Sequence, residues 1–344
     1  MIEESYRLAP VQHGMLVHGL AAPGSGTYVQ QLVCTWRKEL NLSAFQAAWR
    51  EIVTRHSIMR TSFNLTLATP VQEVHREVEV PFLYQDWSDL GGKQATKLLQ
   101  NFLTQDRRRG FQFDRPPLLR HAIFRFPKTG YRWVWTSHHA LLDGRSRLLV
   151  LKELFALYEG FSTGNRSQLV ELHPYRQYVD WFYEQDFAAS EQFWRTQLSG
   201  IAFTTPLSIQ GRFTSATKTG GCQHAEKCLW LPGRLTRQLT ELADRSGLTV
   251  NTFLLGAWAL LLSRYSGERQ VVFGATRAGR HGSFPGAASV VGLLINTVPI
   301  RVDVDPSSLL CDWLKRLRLQ WVELREHERT PLATIQRCSE ISSL

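Results

Sequence analysis

The clearest pattern in the chain is a change of hydrophobic period near its middle. From Tyr131 to Thr136, large apolar and polar residues alternate, which is typical of a β-strand with one buried face. From Leu148 to Tyr158, apolar residues recur at helical spacing, which predicts a helix that ends at Gly160. The polar segment His138–Gly144 lies between them, so two imidazoles and a carboxylate stand where a strand ends and a helix begins.

The same criteria predict strands and helices in alternation along the rest of the chain. Further strands are predicted at Tyr28–Trp36, Pro70–Leu83, Leu119–Phe126, Ala225–Leu231 and Val271–Thr276. Further helices are predicted after Pro10, at Leu42–Thr54, Leu90–Gln105, Tyr175–Leu198, Pro232–Ser246 and Thr249–Ser266, and after Asp305. Loops are predicted at Gly211–Gly221 and Arg277–Ala288. This mixture predicts an α/β fold.

The length of 344 residues predicts two lobes rather than one. The loop from Phe161 to Ser167 is rich in Ser, Thr, Gly and Asn, and it is the best boundary between them. The predicted domains are therefore residues 1–165, with the histidine segment, and residues 166–344.

Composition narrows the function classes. No apolar run approaches the ~20 residues of a membrane span and no leader peptide precedes the first block, so we expect a cytoplasmic protein. The cysteines lack the paired spacing of a zinc site; they are Cys34, Cys222, Cys228, Cys311 and Cys338. The net charge is +10, but the best basic run, Arg107–Arg109, comes with no nucleic-acid-binding signature. An acidic protein partner fits this charge better.

The segment His138–Gly144 permits proton transfer, because a neutral imidazole can accept a proton from an amine or a hydroxyl. Asp143 is too close in the chain to act as a second base for the same proton, so we expect it to hold the loop through an arginine and backbone N–H groups. Gly144 lets the chain turn into the helix. A metal site is not expected, because adjacent histidines on a strand point to opposite faces. A satisfied core or surface pair of histidines, followed by an ordinary Asp-Gly turn, remains the alternative.

Several ordered blocks resemble one family. The segment His138–Gly144 matches the HHxxxDG signature of the condensation domains of nonribosomal peptide synthetases, which belong to the chloramphenicol-acetyltransferase-like superfamily. Arg55–Phe63 is similar to the RHxxLRTxF block of that family, and Val291–Arg301 to its (V/I)GxFxNTxPxR block. Tyr6–Leu16 and His327–Leu332 resemble its first and late blocks.

The resemblance implies two chloramphenicol-acetyltransferase-like lobes in a V, with the active site in a tunnel between them. It implies peptide-bond formation between aminoacyl or peptidyl thioesters held on donor and acceptor carrier proteins, within a synthetase that also has adenylation domains. No intrinsic cofactor is implied, since the 4′-phosphopantetheine arm belongs to the carriers. Relatives continue beyond the late block, so the second lobe is expected to be incomplete at its C-terminal end, through truncation or because a partner supplies the rest.

The resemblance also implies roles for single residues. His139 is the candidate that deprotonates or orients the attacking amine, and His138 is structural. Asp143 is expected to form an ion pair with Arg60, while Gly144 allows close approach of the thioester. Two residues are assigned to the substrate tunnel. Arg145 replaces the apolar residue of relatives, and Asn296 finds its partner either in substrate or tunnel backbone or in the neighbouring strand.

Other functions are compatible with the same signature. An epimerisation domain shares HHxxxDG, whereas a heterocyclisation domain has Asp in place of the histidines and is disfavoured. A free-standing acyltransferase with a soluble acceptor is the alternative enzyme. A non-catalytic docking module that recruits tailoring enzymes to a carrier is the alternative from another class.

Overall fold

A computed structural model describes residues 1–165, 168–169, 171, 173–201, 205, 228–280 and 284–340. The chain divides into two compact units. The first comprises Met1–Gln185 and Ser283–Ile295, and the second comprises Asp186–Gly282 and Asn296–Leu344. A short segment late in the sequence therefore belongs to the first unit.

The first unit contains two sheets and five helices among its described residues. Its strands are β1 (Ile2–Arg7), β2 (Val29–Trp36), β3 (Thr61–Asn64), β4 (Val71–His75), β5 (Phe82–Asp86), β6 (Leu119–Phe126) and β7 (Gly130–His138). Its helices are α1 (Pro10–Ala21), α2 (Leu42–Arg55), α3 (Gly92–Arg109), α4 (Gly144–Thr163) and α5 (Tyr175–Tyr183), and a 3₁₀ turn covers Ser57–Arg60.

The larger sheet has the strand order β2-β7-β6-β5. The strand predicted at β7 is confirmed, but the expectation of a single buried face is wrong, because its successive side chains pack into two different cores. Trp135 packs against Trp49 of α2, with ring centroids 4.9 Å apart. Val134 belongs to a cluster with Leu99 of α3 and Phe124 of β6. Both faces of β7 are therefore covered as far as its last residue, His138.

Some predicted boundaries differ from the structure. The strand predicted from Pro70 to Leu83 is two strands, β4 and β5, which lie in different sheets. Helix α4 continues past Gly160 to Thr163, and Gly164 ends it with a φ of 77°. The first unit runs beyond residue 165 because α5 packs into it, with Tyr183 Oη donating to the Leu8 carbonyl. Residues 166 and 167 of the predicted boundary loop lie outside the described residues.

The second unit contains a two-stranded antiparallel sheet with helices around it. Its described elements are α6 (Ala188–Leu198), α7 (Gly233–Arg245), α8 (Val250–Ser266), β8 (Gln270–Arg277), β9 (Asn296–Asp303), α9 (Leu310–Glu323) and α10 (Leu332–Arg337). Its core includes Val271, Val298 and Ile300 from the strands and Trp313 and Leu314 from α9.

Three predictions for this part of the chain need comment. The helix predicted at Tyr175–Leu198 is split into α5 and α6. The loop predicted at Gly211–Gly221 and residues 225–227 of the next strand lie outside the described residues, and residues 228–231 are not in a strand. None of the described helices has by itself the length and apolarity of a membrane span, although α7 and α8 together meet both criteria across a 103° bend.

Candidate active site

The site is built where β7 ends and α4 begins. His138 is the last residue of β7 and pairs with Val29 of β2. The next amide, that of His139, donates to the Tyr28 carbonyl at 2.8 Å. The backbone of both histidines is therefore held by β2 and by the residue before it, which fixes where the two imidazoles start.

The side chain of His139 is held by its own loop. Its Nδ1 atom lies 2.9 Å from the Leu142 carbonyl oxygen. A carbonyl oxygen only accepts hydrogen bonds, so Nδ1 carries the proton and Nε2 carries the lone pair of the neutral ring. The half-buried His139 is thereby prepared to accept a proton at Nε2.

His138 has a different environment. It is 1 % exposed, and its Nδ1 accepts a hydrogen bond from the Ala140 amide at 3.2 Å. Burial, with a smaller contribution from neighbouring His139, lowers its pKa from the ordinary 6.5 to about 4. His138 is therefore neutral at physiological pH, and it fixes the turn that carries His139.

Asp143 is the N-cap of α4 and is 1 % exposed. Its Oδ1 accepts from the Ser146 amide at 2.7 Å. Its Oδ2 accepts from the Leu294 amide at 3.1 Å. The carboxylate thus satisfies an otherwise unpaired N–H at the helix start and ties this helix to the segment 284–295.

The predicted ion pair between Arg60 and Asp143 is not the arrangement that the structure shows. The Arg60 guanidinium forms its salt bridge with Glu3 and donates to the His75 carbonyl at 2.6 Å. The reason is local, because Arg60 immediately precedes β3, and β4 lies between β3 and β1 in the smaller sheet. The guanidinium therefore lies at the end of that sheet rather than beneath the histidine loop.

Gly144 and Arg145 begin α4 and are both exposed. The φ of Gly144 is not in the left-handed region, so the turn does not require glycine for its backbone conformation. A Cβ atom added at Gly144 would meet nothing within 4 Å, which leaves open space beside this residue. The Arg145 guanidinium forms no salt bridge with a described residue.

Two side chains that sequence reasoning missed hold the segment 284–295 in place, one from α4 and one from α5. Ser146 Oγ donates to the Gly292 carbonyl at 2.6 Å and accepts from the Gly292 amide at 2.9 Å. Tyr175 Oη donates to the Leu293 carbonyl at 2.9 Å, and the Tyr175 ring lies against Gly292 so closely that a side chain there would overlap it. The available signal was Ser146 itself, a hydroxyl three residues after a helix-capping aspartate.

Asn296 is satisfied by protein. Its Nδ2 donates to the carbonyls of Glu328 and Thr330 at 2.9 and 2.8 Å, and its Oδ1 accepts from the Thr297 amide at 2.9 Å. Asn296 is 6 % exposed, and both hydrogens of its side-chain amide are used in the bonds to Glu328 and Thr330. The neighbouring strand expected as the protein partner of Asn296 is not the partner found, because Glu328 and Thr330 lie outside the strands. The assignment of Asn296 to a substrate tunnel stays a prediction.

No group of three or more His, Cys, Asp and Glu side chains in the described part of the chain is arranged to hold a metal ion. The histidine loop offers proton transfer at His139 Nε2, a few residues before the N-terminus of α4 and the partial positive charge of its first N–H groups.

Comparison with known proteins places these features in one family. Residues 2–343 match the family model described as condensation domain. The chain is 40 % identical over 342 residues to one of the linear gramicidin synthase subunits of Brevibacillus parabrevis, and 32 % identical over 341 residues to bacitracin synthase 3 of Bacillus licheniformis. It covers 99 % of its own length in both comparisons, but only 4 % and 5 % of the length of these relatives.

Solved structures agree in fold. The first condensation domain of the calcium-dependent antibiotic synthetase matches 95 % of this chain, and 76 % of its own chain, with a TM-score of 0.78 at 22 % identity. The starter condensation domain of rhizomide synthetase, in complex with C8-CoA and Leu-SNAC, matches 97 % and 74 % with a TM-score of 0.82 at 18 % identity. The two units of this chain therefore have the α/β fold of those domains, and the chain belongs to the condensation domain family.

Proposed function

We propose that this chain forms an amide bond between an acyl thioester and an amine that are each carried on a carrier protein. The observation that carries the proposal is the bond from His139 Nδ1 to the Leu142 carbonyl, which leaves Nε2 as the basic atom. A fixed imidazole with its lone pair directed away from its own loop suits a reaction in which an amine must lose a proton.

The reaction is an aminolysis. The amine nitrogen of the acceptor attacks the thioester carbon of the donor, a C–N bond forms and the C–S bond breaks. The proton of the amine passes to His139 Nε2 and then to the departing thiolate. Binding both reactants in one site makes a bimolecular reaction effectively intramolecular, and this supplies a large share of the rate acceleration.

The other site residues hold this arrangement. His138 fixes the turn through Ala140, and Asp143 caps α4 and anchors Leu294. The open space beside Gly144 admits the thioester close to the backbone. The first N–H groups of α4 then favour the negative charge that develops on the thioester oxygen.

The partners are a donor and an acceptor peptidyl carrier protein, and each presents its substrate on a 4′-phosphopantetheine arm. The net charge of +10 supports binding of acidic proteins. The relatives support a synthetase context, and one solved neighbour with a TM-score of 0.81 is a four-domain nonribosomal peptide synthetase bound to AMP and glycine. Neighbouring adenylation and carrier domains follow from the same context.

Arg145 is proposed to recognise an anionic group, either a carboxylate of the substrate or the phosphate of the arm. It is exposed at the start of α4, one residue after Gly144. The Arg145→Val variant should change the preference between acidic and neutral acceptors while it still transfers neutral ones. An unchanged preference would remove this residue from substrate recognition.

The test is a transfer assay with a loaded donor carrier and a loaded acceptor carrier, followed by intact mass. Wild type should move the donor acyl group onto the acceptor carrier. His139→Ala should lose most turnover, on the order of 100-fold or more. His13→Ala, which removes an exposed imidazole of α1, serves as the matched control and should remain active.

Each outcome of this assay has a definite meaning. Transfer to a soluble amine in preference to the carrier-bound one would favour a free-standing acyltransferase. Equal rates for wild type and His139→Ala would reject the assigned base. A folded wild-type protein that binds both carriers and transfers nothing would favour the docking module.

A further inference from the structure

A cavity of about 590 Å³ lies within the first unit, beside the histidine loop but outside the chemistry assigned to it. Three segments form its walls, namely residues 19–29 between α1 and β2, residues 63–66 after β3, and residues 109–115 after α3. His138 also lines the cavity, whereas His139 does not. The cavity therefore contacts the histidine loop through His138 and not through the residue proposed to accept the proton.

The walls are held in place by specific bonds, so the cavity is preformed. The Phe63 amide donates to the Phe113 carbonyl at 2.7 Å, which joins the second and third segments. The Arg120 guanidinium donates to the Gly110 carbonyl at 2.8 Å and lies 4.3 Å from the centroid of the Phe111 ring. Arg120 is itself fixed by its salt bridge to Asp106.

Two glycines let the first segment pack closely against α3 and the third segment. Gly26 has a φ of 72°, and a Cβ atom there would lie 2.6 Å from Arg107 Cγ. A Cβ atom on Gly19 would lie 3.1 Å from Phe113 Cζ. The first segment therefore approaches α3 and the Phe113 ring at positions where glycine fits without a clash.

The lining divides into an apolar interior and a charged rim. Phe63, Phe111 and Phe113 supply aromatic surface, and the ring of His138 lies 5.0 Å from that of Phe113. Because burial keeps the pKa of His138 low, the interior stays uncharged at neutral pH.

The charged side chains that line the cavity are exposed and belong to the third segment. Arg109 and Arg115 carry positive charge and Asp114 carries negative charge, and none of them forms a salt bridge with a described residue. The rim therefore has one excess positive charge and two guanidinium groups that are available to bind a carboxylate.

We propose that this cavity is a second small-molecule site, which binds an amphipathic monocarboxylate with an aryl body. The aryl body packs against Phe111 and Phe113, and the carboxylate pairs with Arg109 and Arg115 at the rim. The volume lies in the range of ligand sites in proteins, and an apolar pocket with a few convergent polar groups is the usual form of such a site. Its occupant does not compete with a thioester for His139.

The experiment is isothermal titration of the protein with 4-biphenylcarboxylate and, separately, with the uncharged 4-biphenylmethanol. The carboxylate should bind about tenfold or more tightly than the alcohol, which corresponds to one charge-assisted contact. The double variant Arg109→Gln/Arg115→Gln should lose this preference. Arg108→Gln is the matched control, because Arg108 is exposed on the same turn of α3 and does not line the cavity.

Two further variants locate the binding. Leu65→Trp should fill the cavity and abolish binding, with circular dichroism to confirm that the variant is folded. His139→Ala should bind the carboxylate as wild type does, because His139 does not line the cavity. This variant therefore tests the cavity site separately from the proposed function. Absence of heat with wild type, equal affinity for the alcohol, or binding that survives Leu65→Trp would each overturn the assignment.

Discussion

Ser146 and Gly292, 146 positions apart in the sequence, bond to each other twice through one hydroxyl and one peptide unit. Both groups are buried, so neither has water as an alternative partner. The hydroxyl therefore satisfies the Gly292 N–H, and it is one of two donors to the Gly292 carbonyl, which also accepts from the Asp143 amide at 3.2 Å.

The first prediction is that Ser146→Ala lowers the free energy of unfolding by about 1–3 kcal/mol, because it leaves the buried Gly292 N–H without its partner, while the Gly292 carbonyl keeps its bond from the Asp143 amide. Chemical denaturation measures this change. Arg145→Ala, at the neighbouring exposed position, should change stability by less than about 0.5 kcal/mol. Equal effects of the two substitutions would show that the Ser146–Gly292 bonds contribute nothing to the fold.

The second prediction contrasts two glycines of the site. Gly292→Ala places a methyl group where the Tyr175 ring lies. This ring, on the first residue of α5, is buried and has no free space to move into. We expect a loss of about 3 kcal/mol or a failure to fold. Thermal unfolding of the purified variant measures the change.

Gly144→Ala should behave differently, because its Cβ atom meets no other group. We expect it to fold with wild-type stability and to transfer acyl groups more slowly, since the methyl group enters the space proposed for the thioester. If Gly144→Ala were fully active, the proposed close approach at this residue would be wrong. If Gly292→Ala were as stable as wild type, the packing of Tyr175 would be looser than described.

The sequence predicted those parts of the site that depend on local pattern. The period-2 alternation of residues 131–136 fixed the place of β7, and the polar residues after it located the histidine loop. The bond of His139 to Leu142 also lies within that loop. Local spacing carries such information because strand and helix periods are properties of neighbouring residues.

The partners that lie far apart in the sequence were not predicted correctly. Asp143 was expected to pair with Arg60, yet its Oδ2 accepts from the backbone of Leu294. A backbone N–H has no signature in the sequence, so only the path of the chain reveals this partner. For Asn296 the neighbouring strand was one of two expected partners, yet its amide hydrogens go to two backbone carbonyls beyond α9.

The third prediction concerns pH. Burial lowers the pKa of His138 to about 4, while the unfolded chain has the ordinary value of 6.5. Between these values the unfolded state binds a proton that the folded state does not, so stability falls as the pH falls through this window. Above pH 6.5 His138 contributes no pH dependence. The loss from this one group at pH 5, relative to pH 8, is about 2 kcal/mol.

Denaturation at pH 5 and pH 8 tests this, provided that variants are compared. His121, whose pKa burial also lowers, acts in the same direction and contributes equally to wild type and variant. In His138→Asn the side-chain oxygen replaces Nδ1 as acceptor for Ala140, and the difference between the two pH values should shrink by about 2 kcal/mol. His13→Asn should leave it unchanged. An unchanged difference in His138→Asn would mean that folding does not lower the pKa of His138.

The fourth prediction concerns the buried ion pair of the second unit. Arg277 Nε donates to Glu328 Oε2 at 2.7 Å, and the two side chains are 4 % and 0 % exposed. The guanidinium also lies 4.0 Å from the centroid of the Trp321 ring. Glu328 Oε1 is buried without a hydrogen-bond partner among the described residues, so the carboxylate depends on Arg277 for its charge compensation.

Arg277→Met should therefore cost about 3–5 kcal/mol, because it leaves a buried, uncompensated carboxylate. The double variant Arg277→Met/Glu328→Gln should recover part of this loss, since no charge then remains in the interior. The exposed pair of Arg195 and Glu191 is the control, and Arg195→Met should cost less than about 1 kcal/mol. A double variant no more stable than Arg277→Met would show that the uncompensated carboxylate is not the source of the loss.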